Sequence, residues 1–298
     1  LLLDKMNLEK GTVTIEGKEY ELKDKNFPTI DKNDPYVLTS EENEVMERLK
    51  ESFIHSPSLQ KHLKYLYTKG EMYTIFNNNL LFHGCIPTDE NGYLKEVEFM
   101  GKRLKGKAYF DEINEVVNKV FATRQPELVD IMWFLWISPE SPFFGKEKMA
   151  TFESYFVKDK SLSKEPKSPY YQYSENEEFC VKVLKEFGLE GEDSHILNGH
   201  VPVKAKDGES PIKANGKLLV IDGGFAKSFR EKTGNAGYIL TYNSNGLLLS
   251  QNKPFESVEK AIVEETDIIS EIIVKKTGIV RKRVGDTDIG TKLKGEIA

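Results

Sequence analysis

Three short apolar runs, each ending beside glycine, constrain the fold of this 298-residue sequence more than any other feature. Residues 80–84 read LLFHG, residues 195–200 read HILNGH, and residues 217–224 read KLLVIDGG. Short apolar runs bounded by turn residues are typical of buried strands. Helical patterns dominate residues 112–187, between the first run and the other two. The sequence therefore predicts an α/β fold.

Three further segments predict hairpins. Residues 12–22 alternate apolar and polar side chains around Gly17, which is typical of a hairpin with one solvated face. Residues 72–83 form two strand-like runs joined by three asparagines. Asn245-Gly246 lies between two apolar runs, and this dipeptide is the strongest short hairpin signal in the chain.

Two helix starts are visible from capping residues. Thr39 followed by Glu42 is a capping box, and Ser174 with Glu177 predicts the start of another helix, which Gly188 ends. The polar segment 158–171 between helices predicts a long surface loop, and a last helix is expected from Val258 to Val274. Two apolar stripes at helical spacing predict packed helices; they are Ile113, Val116, Val117, Val120 and Phe121, and Leu128, Ile131, Met132, Leu135 and Trp136.

The charge balance excludes some partners. Lys plus Arg number 42 and Asp plus Glu 48, a net charge of -6. We therefore expect no nucleic-acid partner and no membrane surface, since both attract a surplus of positive charge. The longest apolar run, residues 131–137, is far shorter than the ~20 residues that span a bilayer. Cys85 and Cys180 are expected to be reduced thiols of a cytoplasmic protein.

The histidines differ in their surroundings. His55 and His62 lie on or beside charged helical segments, where a histidine is usually only exposed. His83 and His200 each end an apolar run and adjoin a glycine, which places both imidazoles at the rim of a sheet, where ligand sites of α/β folds gather. Because neutral imidazole is a good metal ligand, these two are candidates for a shared metal site.

Polar residues near His200 are candidates for further roles. Lys204 and Lys213 lie in a polar segment rich in lysine, which suits phosphate but is also typical of a solvated loop. Asp222 ends a strand-like run; it could orient a histidine, or it could cap the Gly223-Gly224 turn. The sequence has no G-x-S-x-G element, Walker-type glycine loop or paired CxxC.

Four segments together carry a family resemblance. They read LLFHGCIPTDENG, SPFFGKEKMATFESYF, LNGHVPVKAKDGESPIKANGKLLVIDGGF and GYILTYNSNGLLLSQNKPF. From about residue 30 to its end the chain resembles the class III fructose-1,6-bisphosphatases of Firmicutes, in the calcineurin-like metallophosphoesterase superfamily. The resemblance implies an α/β fold of two packed sheets with helical insertions. It also implies manganese in a two-metal site, a cytoplasmic location and gluconeogenic hydrolysis of fructose 1,6-bisphosphate to fructose 6-phosphate and phosphate.

The resemblance also implies residue roles. His83 and His200 match the last two histidine motifs of the superfamily and would ligate one metal of the pair, and Lys204 and Lys213 would hold a substrate phosphate. Independently of the resemblance, Asp222 is a candidate to support the site from its position, and Arg124 and Arg230 are candidates for a 6-phosphate pocket only as arginines near these segments.

Some superfamily motifs are missing upstream of His83. There is no Asp-x-His, Gly-Asp or Gly-Asn-His there, so the general-acid histidine has no counterpart; Asp193-Ser194-His195 has the spacing but the wrong order. The chain begins LLLDKMNLEK, without an initiator Met. We expect a C-terminal half: residues 1–75 a hairpin plus helical insert, and 76–298 the rest of the phosphoesterase domain, with a helical insert at about 112–187.

The half-enzyme interpretation carries expectations about behaviour. We expect the chain to bind manganese poorly, to be inactive alone, and to pair with an N-terminal half of the same enzyme or with a second copy. Two other functions remain open: a related phosphatase that acts on a phosphoprotein or a dinucleotide, and a regulatory or assembly module without chemistry.

Overall fold

The computed structural model describes residues 3–123, 125–224, 226–234, 237–252, 255–266, 270–277 and 281–298. The chain forms two compact units. The first comprises Leu1–Gly70 with Lys146–Pro166, and the second comprises Glu71–Gly145 with Lys167–Ala298.

Strands and helices occur in groups along the chain. The strands are β1 (Met6–Asn7), β2 (Thr12–Ile15), β3 (Lys18–Glu21), β4 (Tyr73–Phe76), β5 (Asn79–Phe82), β6 (Val97–Phe99), β7 (Lys102–Leu104), β8 (His195–Asn198), β9 (Ile212–Lys213), β10 (Leu218–Val220), β11 (Tyr238–Asn243), β12 (Gly246–Asn252) and β13 (Ser270–Thr277). The helices are α1 (Ser40–Ile54), α2 (Pro57–Lys69), α3 (Gly106–Thr123), α4 (Pro126–Ile137), α5 (Thr151–Phe156), α6 (Tyr170–Tyr173), α7 (Glu177–Glu186), α8 (Lys227–Thr233), α9 (Val258–Glu264) and α10 (Asp288–Ile297).

The first unit is built on a small antiparallel sheet, β1-β2-β3. β2 and β3 form the hairpin predicted for residues 12–22, with Glu16 and Gly17 both at positive φ in the turn. Such turns match the twist of the flanking strands. The core of this unit is small and centres on three buried side chains, Val13, Leu22 and Val157.

Two helices in the first unit begin at well-formed caps. The capping box predicted at Thr39 and Glu42 is confirmed, with both reciprocal hydrogen bonds present at the start of α1. Ser56 caps α2 by accepting a hydrogen bond from the Leu59 amide, and Pro57 occupies the first helical position. Neither helix contains a buried residue.

The second unit is organised by a five-stranded sheet in the order β4-β5-β8-β10-β9. β5, β8 and β10 are parallel neighbours, whereas β4 and β9 pair antiparallel at the two edges. Every residue of β8 and β10 is buried, as expected for central parallel strands. The asparagine turn joins β4 to β5 as predicted, with Asn77 and Asn78 at positive φ.

The two faces of this sheet pack differently. One face meets the sheet β11-β12-β13 through a leucine cluster that includes Leu197, Leu219 and Leu247. The other face belongs to the main core, which contains buried residues of α3, α4 and α7. Ile113, Val116 and Val120 of the first predicted stripe are buried there. The predicted α/β class is confirmed, and the Asn245-Gly246 hairpin joins β11 to β12.

Two helix predictions need correction. The segment predicted as one helix from Val258 to Val274 forms α9 and then β13. Glu265, in the left-handed region, ends α9, and β13 pairs antiparallel with β12. The β-branched side chains of this segment favour the strand once a partner edge is present. The helix predicted from Ser174 begins later, because Asn176 accepts the capping hydrogen bond from the Phe179 amide.

Two burial predictions also need correction. In the second predicted stripe, Leu128, Ile131 and Leu135 are buried, but Trp136 is 68% exposed. The segment predicted as a surface loop over 158–171 includes Tyr170, which is 1% exposed and starts α6. The polar and proline-containing composition of this segment therefore did not reveal that one of its aromatic residues, Tyr170, is buried.

Within the described ranges, no helix combines the length and apolar character needed to cross a membrane.

Burial predicts that the two thiols are inert. Cys85 and Cys180 are free and buried, and burial raises the pKa of each thiol to about 12. At pH 8 only about one thiol in 10⁴ would be ionised, and the thiolate is the reactive form. We expect no reaction with a thiol reagent in the native chain and two equivalents of reaction after unfolding in urea. Rapid labelling of native protein would contradict this.

Candidate metal site

The pairing of β5 with β8 brings two predicted site residues together. The strands are parallel, with Leu80 opposite Ile196 and Leu81 opposite Leu197, so their carboxyl ends reach the same edge of the sheet. His83 follows β5, and Gly199 and His200 follow β8. The Gly199 amide donates a hydrogen bond of 2.9 Å to the His83 carbonyl, which joins the two loops directly.

The two imidazoles lie in contact. His83 Nε2 and His200 Nδ1 are 3.0 Å apart, and the rings meet edge to face at 74°. His200 Nε2 is 3.0 Å from the Phe144 carbonyl oxygen. A carbonyl only accepts hydrogen bonds, so Nε2 carries the proton and Nδ1 presents its lone pair toward His83. The protein thus fixes the tautomer of His200.

His200 adopts an unusual backbone conformation. Its φ of 67° lies in the left-handed region, which costs a non-glycine residue about 1–3 kcal/mol. Histidine is among the residues that tolerate this region. The hydrogen bonds made by Gly199 and by the His200 ring offset this cost and hold the ring against the Phe144 carbonyl.

The histidines open onto a cleft of about 270 Å³. Asp222 and Tyr238 line the same cleft. Burial lowers the pKa of His83 below its usual value, the neighbouring His200 lowers it further, and Asp222 partly offsets both. These influences favour the neutral imidazole, which is the form that binds metal.

The donor set fits part of a metal site. With His200 Nδ1 as acceptor, His83 Nε2 donates the hydrogen bond in this 3.0 Å contact, so an ion held by both nitrogens requires the proton to leave His83 Nε2. Two nitrogens at about 2.1 Å from one ion lie about 3.0–3.4 Å apart for angles between 90° and the tetrahedral value, so little movement of the rings is needed. The described residues include no group of three or more His, Cys, Asp or Glu side chains arranged to hold a metal ion. Among the described residues, the candidate donors at this cleft are therefore the two histidines rather than a complete ligand set.

Asp222 lies beside the histidines but is used by its own turn. Its Oδ1 accepts a hydrogen bond of 2.8 Å from the Gly224 amide, so it caps the Gly223-Gly224 turn. Among the described residues, none of its hydrogen bonds goes to either imidazole. The capping alternative is therefore what the structure shows, and any influence on the histidines is electrostatic.

The two predicted phosphate-binding lysines do not line the histidine cleft. Lys213 lines a second cleft of about 330 Å³. Its ammonium contacts Glu175 at 2.5 Å and Glu209 at 2.9 Å, and its side chain is 13% exposed. Lys204 is exposed, and its backbone amide donates to the Glu209 carboxylate. Gly199 lines both clefts.

Other candidate residues from the sequence lie away from the histidine cleft. His195 is buried at the first residue of β8, at the opposite end of the strand from His200, so the Asp193-Ser194-His195 pattern is not part of the histidine cleft. His62 is exposed on α2. Arg124 and the side chain of Arg230 lie outside the described residues.

Sequence reasoning missed two elements that hold the histidines. One is the Phe144 carbonyl, which accepts from His200. The other is Asn198, a 4% exposed residue whose amide bonds the loop after β5. The only local signal for Asn198 is a polar residue in an otherwise apolar strand, immediately before Gly-His.

Comparison with known proteins gives the family. The family model described as Firmicute fructose-1,6-bisphosphatase matches residues 1–298. The chain is 52% identical over 302 residues to the fructose-1,6-bisphosphatase class 3 of Clostridium acetobutylicum, covering 100% of this chain and 45% of that protein. It is 50% identical to those of Clostridium tetani and Clostridium novyi, covering 46% of each. No solved structure matches. The chain belongs to the Firmicute fructose-1,6-bisphosphatase family and spans about half the length of these relatives, in their C-terminal part.

Gly145 offers a test of packing beside His200. Its φ is 63°, and a Cβ there would lie 2.6 Å from the Tyr171 hydroxyl and 3.3 Å from His200 Cδ2. Gly188 has a φ of 80° with nothing within 4 Å of such a Cβ. We expect Gly188→Ala to lower the free energy of unfolding by about 1–2 kcal/mol, and Gly145→Ala by at least ~1 kcal/mol more. Urea unfolding measures both, and equal losses would show that the overlap is relieved without cost.

Proposed function

We propose that the protein to which this chain belongs hydrolyses fructose 1,6-bisphosphate to fructose 6-phosphate and phosphate in a metal-dependent reaction. Family membership supports the reaction. The observation that carries the metal role is the 3.0 Å contact between His83 Nε2 and His200 Nδ1 at the end of two parallel strands. Packing of two sheets through the leucine cluster supports a calcineurin-like arrangement.

His83 and His200 would hold one manganese ion of a two-metal site. Bound there, the metal pair would lower the pKa of a water and neutralise charge on the phosphoryl oxygens. The chain's own residues supply two imidazoles at a fixed spacing, with His200 Nε2 donating to the Phe144 carbonyl. Asp222 holds the adjoining Gly223-Gly224 turn and places a negative charge in the cleft. The general acid and the other ligands would come from the rest of the longer protein.

Lys204 and Lys213 are proposed to contact a substrate phosphate. Lys213 is held between Glu175 and Glu209, and these hydrogen bonds raise its pKa although burial opposes them. A phosphate that approaches Lys213 would compete with two carboxylates, so binding there requires at least one carboxylate to move away. Lys204 is exposed and has more freedom to reach an anion.

The partner of this chain would be the N-terminal part of the same enzyme or a second copy, and the location would be cytoplasmic. Large apolar side chains on the surface support a missing partner. Trp133 is 63% exposed and Trp136 68% exposed on α4, and Phe53 is 64% exposed on α1. Large exposed apolar side chains on each of the two units support contact with a further protein surface.

The histidine role is tested with the chain alone and with a joined chain. The joined chain carries the N-terminal part of the Clostridium acetobutylicum relative ahead of this sequence. We expect no phosphate release from fructose 1,6-bisphosphate by the chain alone with manganese, and turnover by the joined chain. His83→Ala or His200→Ala should abolish that turnover, whereas His62→Ala, at an exposed histidine, should not. Activity of the isolated chain would contradict the proposal that this chain supplies only part of the metal site.

Measurements of KM and of the free energy of unfolding test the proposed roles of Lys204 and Lys213. In the joined chain, Lys204→Met and Lys213→Met should each raise KM about 10-fold or more, since a hydrogen bond to a charged group contributes about 1.5–3 kcal/mol. Lys213→Met should also lower the free energy of unfolding, because Glu175 and Glu209 lose their partner. Lys206→Met, at a neighbouring exposed lysine, is the control. Unchanged KM in both variants would remove these lysines from the substrate site.

A further inference from the structure

Asn198 occupies a position between the two histidine loops. It is the last residue of β8, immediately before Gly199 and His200. Its Nδ2 donates a hydrogen bond of 3.2 Å to the carbonyl of Gly84, the residue after His83, and one of 2.9 Å to the Tyr170 hydroxyl. One side chain therefore links the backbone beside each histidine to a third element.

The anchor of this link is rigid. Tyr170 is 1% exposed, and its ring packs edge-on against Phe82 and Phe179. Hydrogen bonds in such a dry environment are costly to lose, because the groups left behind find no water. Gly84 is also buried, so its carbonyl depends on Asn198 in the same way.

The link acts together with a backbone hydrogen bond between the same two loops. The Gly199 amide donates to the His83 carbonyl, whereas the Asn198 side chain donates to the Gly84 carbonyl. The two bonds attach consecutive peptide groups of the first loop to the second. Rotation or sliding of one loop against the other would break at least one of them.

We propose that Asn198 is a positioning residue that holds His83 and His200 at the spacing of two ligands, by tying Gly84 to the end of β8 and to Tyr170. The inference rests on the metal role proposed for the two histidines. Its own content is geometric: without the Asn198 amide, the His83 loop is free to move away from His200.

A second buried asparagine provides a matched control. Asn79 is 5% exposed, begins β5, and uses its Nδ2 to bond two backbone carbonyls, those of Phe76 and Asn77. It thus has the same type, burial and bonding as Asn198, but it lies opposite His195, at the ends of β5 and β8 that are far from His83 and His200. Replacing it by alanine costs the same kind of hydrogen bonds without touching the histidine loops.

The test uses nitrogen NMR spectra of the five histidine rings in the metal-free chain, assigned with single histidine variants. The native chain should show His200 protonated at Nε2 and unprotonated at Nδ1. Asn198→Ala should shift or broaden the ring signals of both His83 and His200, and Asn79→Ala should leave them unchanged at a similar loss of stability. Asn198→Leu, which keeps a similar volume but has no hydrogen-bond donor for Gly84, should act like Asn198→Ala if the latter does not fold.

A manganese titration of the joined chain supplies the second readout. Loss of outer hydrogen-bond partners of metal ligands typically weakens binding about 10- to 100-fold, and we expect this range for Asn198→Ala and less than about 3-fold for Asn79→Ala. Tyr170→Phe, which keeps the Gly84 bond, should fall between them. Unchanged histidine signals in both Asn198 variants, or equal changes in the Asn79 variant, would overturn the positioning role. Absence of manganese binding by the unmutated joined chain would overturn the proposed function, and the spectra would still decide the role of Asn198.

Discussion

The histidine cleft depends on the parallel pairing of β5 with β8. Neighbouring parallel strands end at the same edge of the sheet. The residues that follow the two strands therefore lie side by side. An antiparallel pairing would have put His83 and His200 at opposite edges. β8 is buried on both faces, so a one-residue slip would exchange Ile196 of the main core with Leu197 of the leucine cluster, and the two different packings hold the register.

Hydrogen bonds then refine what strand pairing begins. Strand register alone places the two loops near each other, but three protein contacts set the orientation of the rings: Gly199 to His83, Asn198 to Gly84, and His200 to Phe144. The two imidazoles are thus oriented by hydrogen bonds within the protein.

The sequence predicted elements that depend on local chemistry. The capping box at Thr39, the asparagine turn before β5 and the strand-end positions of His83 and His200 all follow from residues close in the chain. The elements that it did not predict depend on distant partners. β13 is a strand because β12 offers an edge, and Asn198 bonds a carbonyl 114 residues away, which no local pattern records.

The arrangement of the site also explains how a chain with two ligands could serve a two-metal enzyme. A ligand pair already held at 3.0 Å loses little conformational entropy when an ion binds, so the other ligands need supply only the missing coordination. The energetic requirement shifts to the contact between the two parts of the protein. The exposed tryptophans of α4 and the unburied faces of α1 and α2 are apolar surface available for such contacts. Under the proposed metal role, the fold of the chain would fix the geometry of two ligands, and the rest of the longer protein would complete the site.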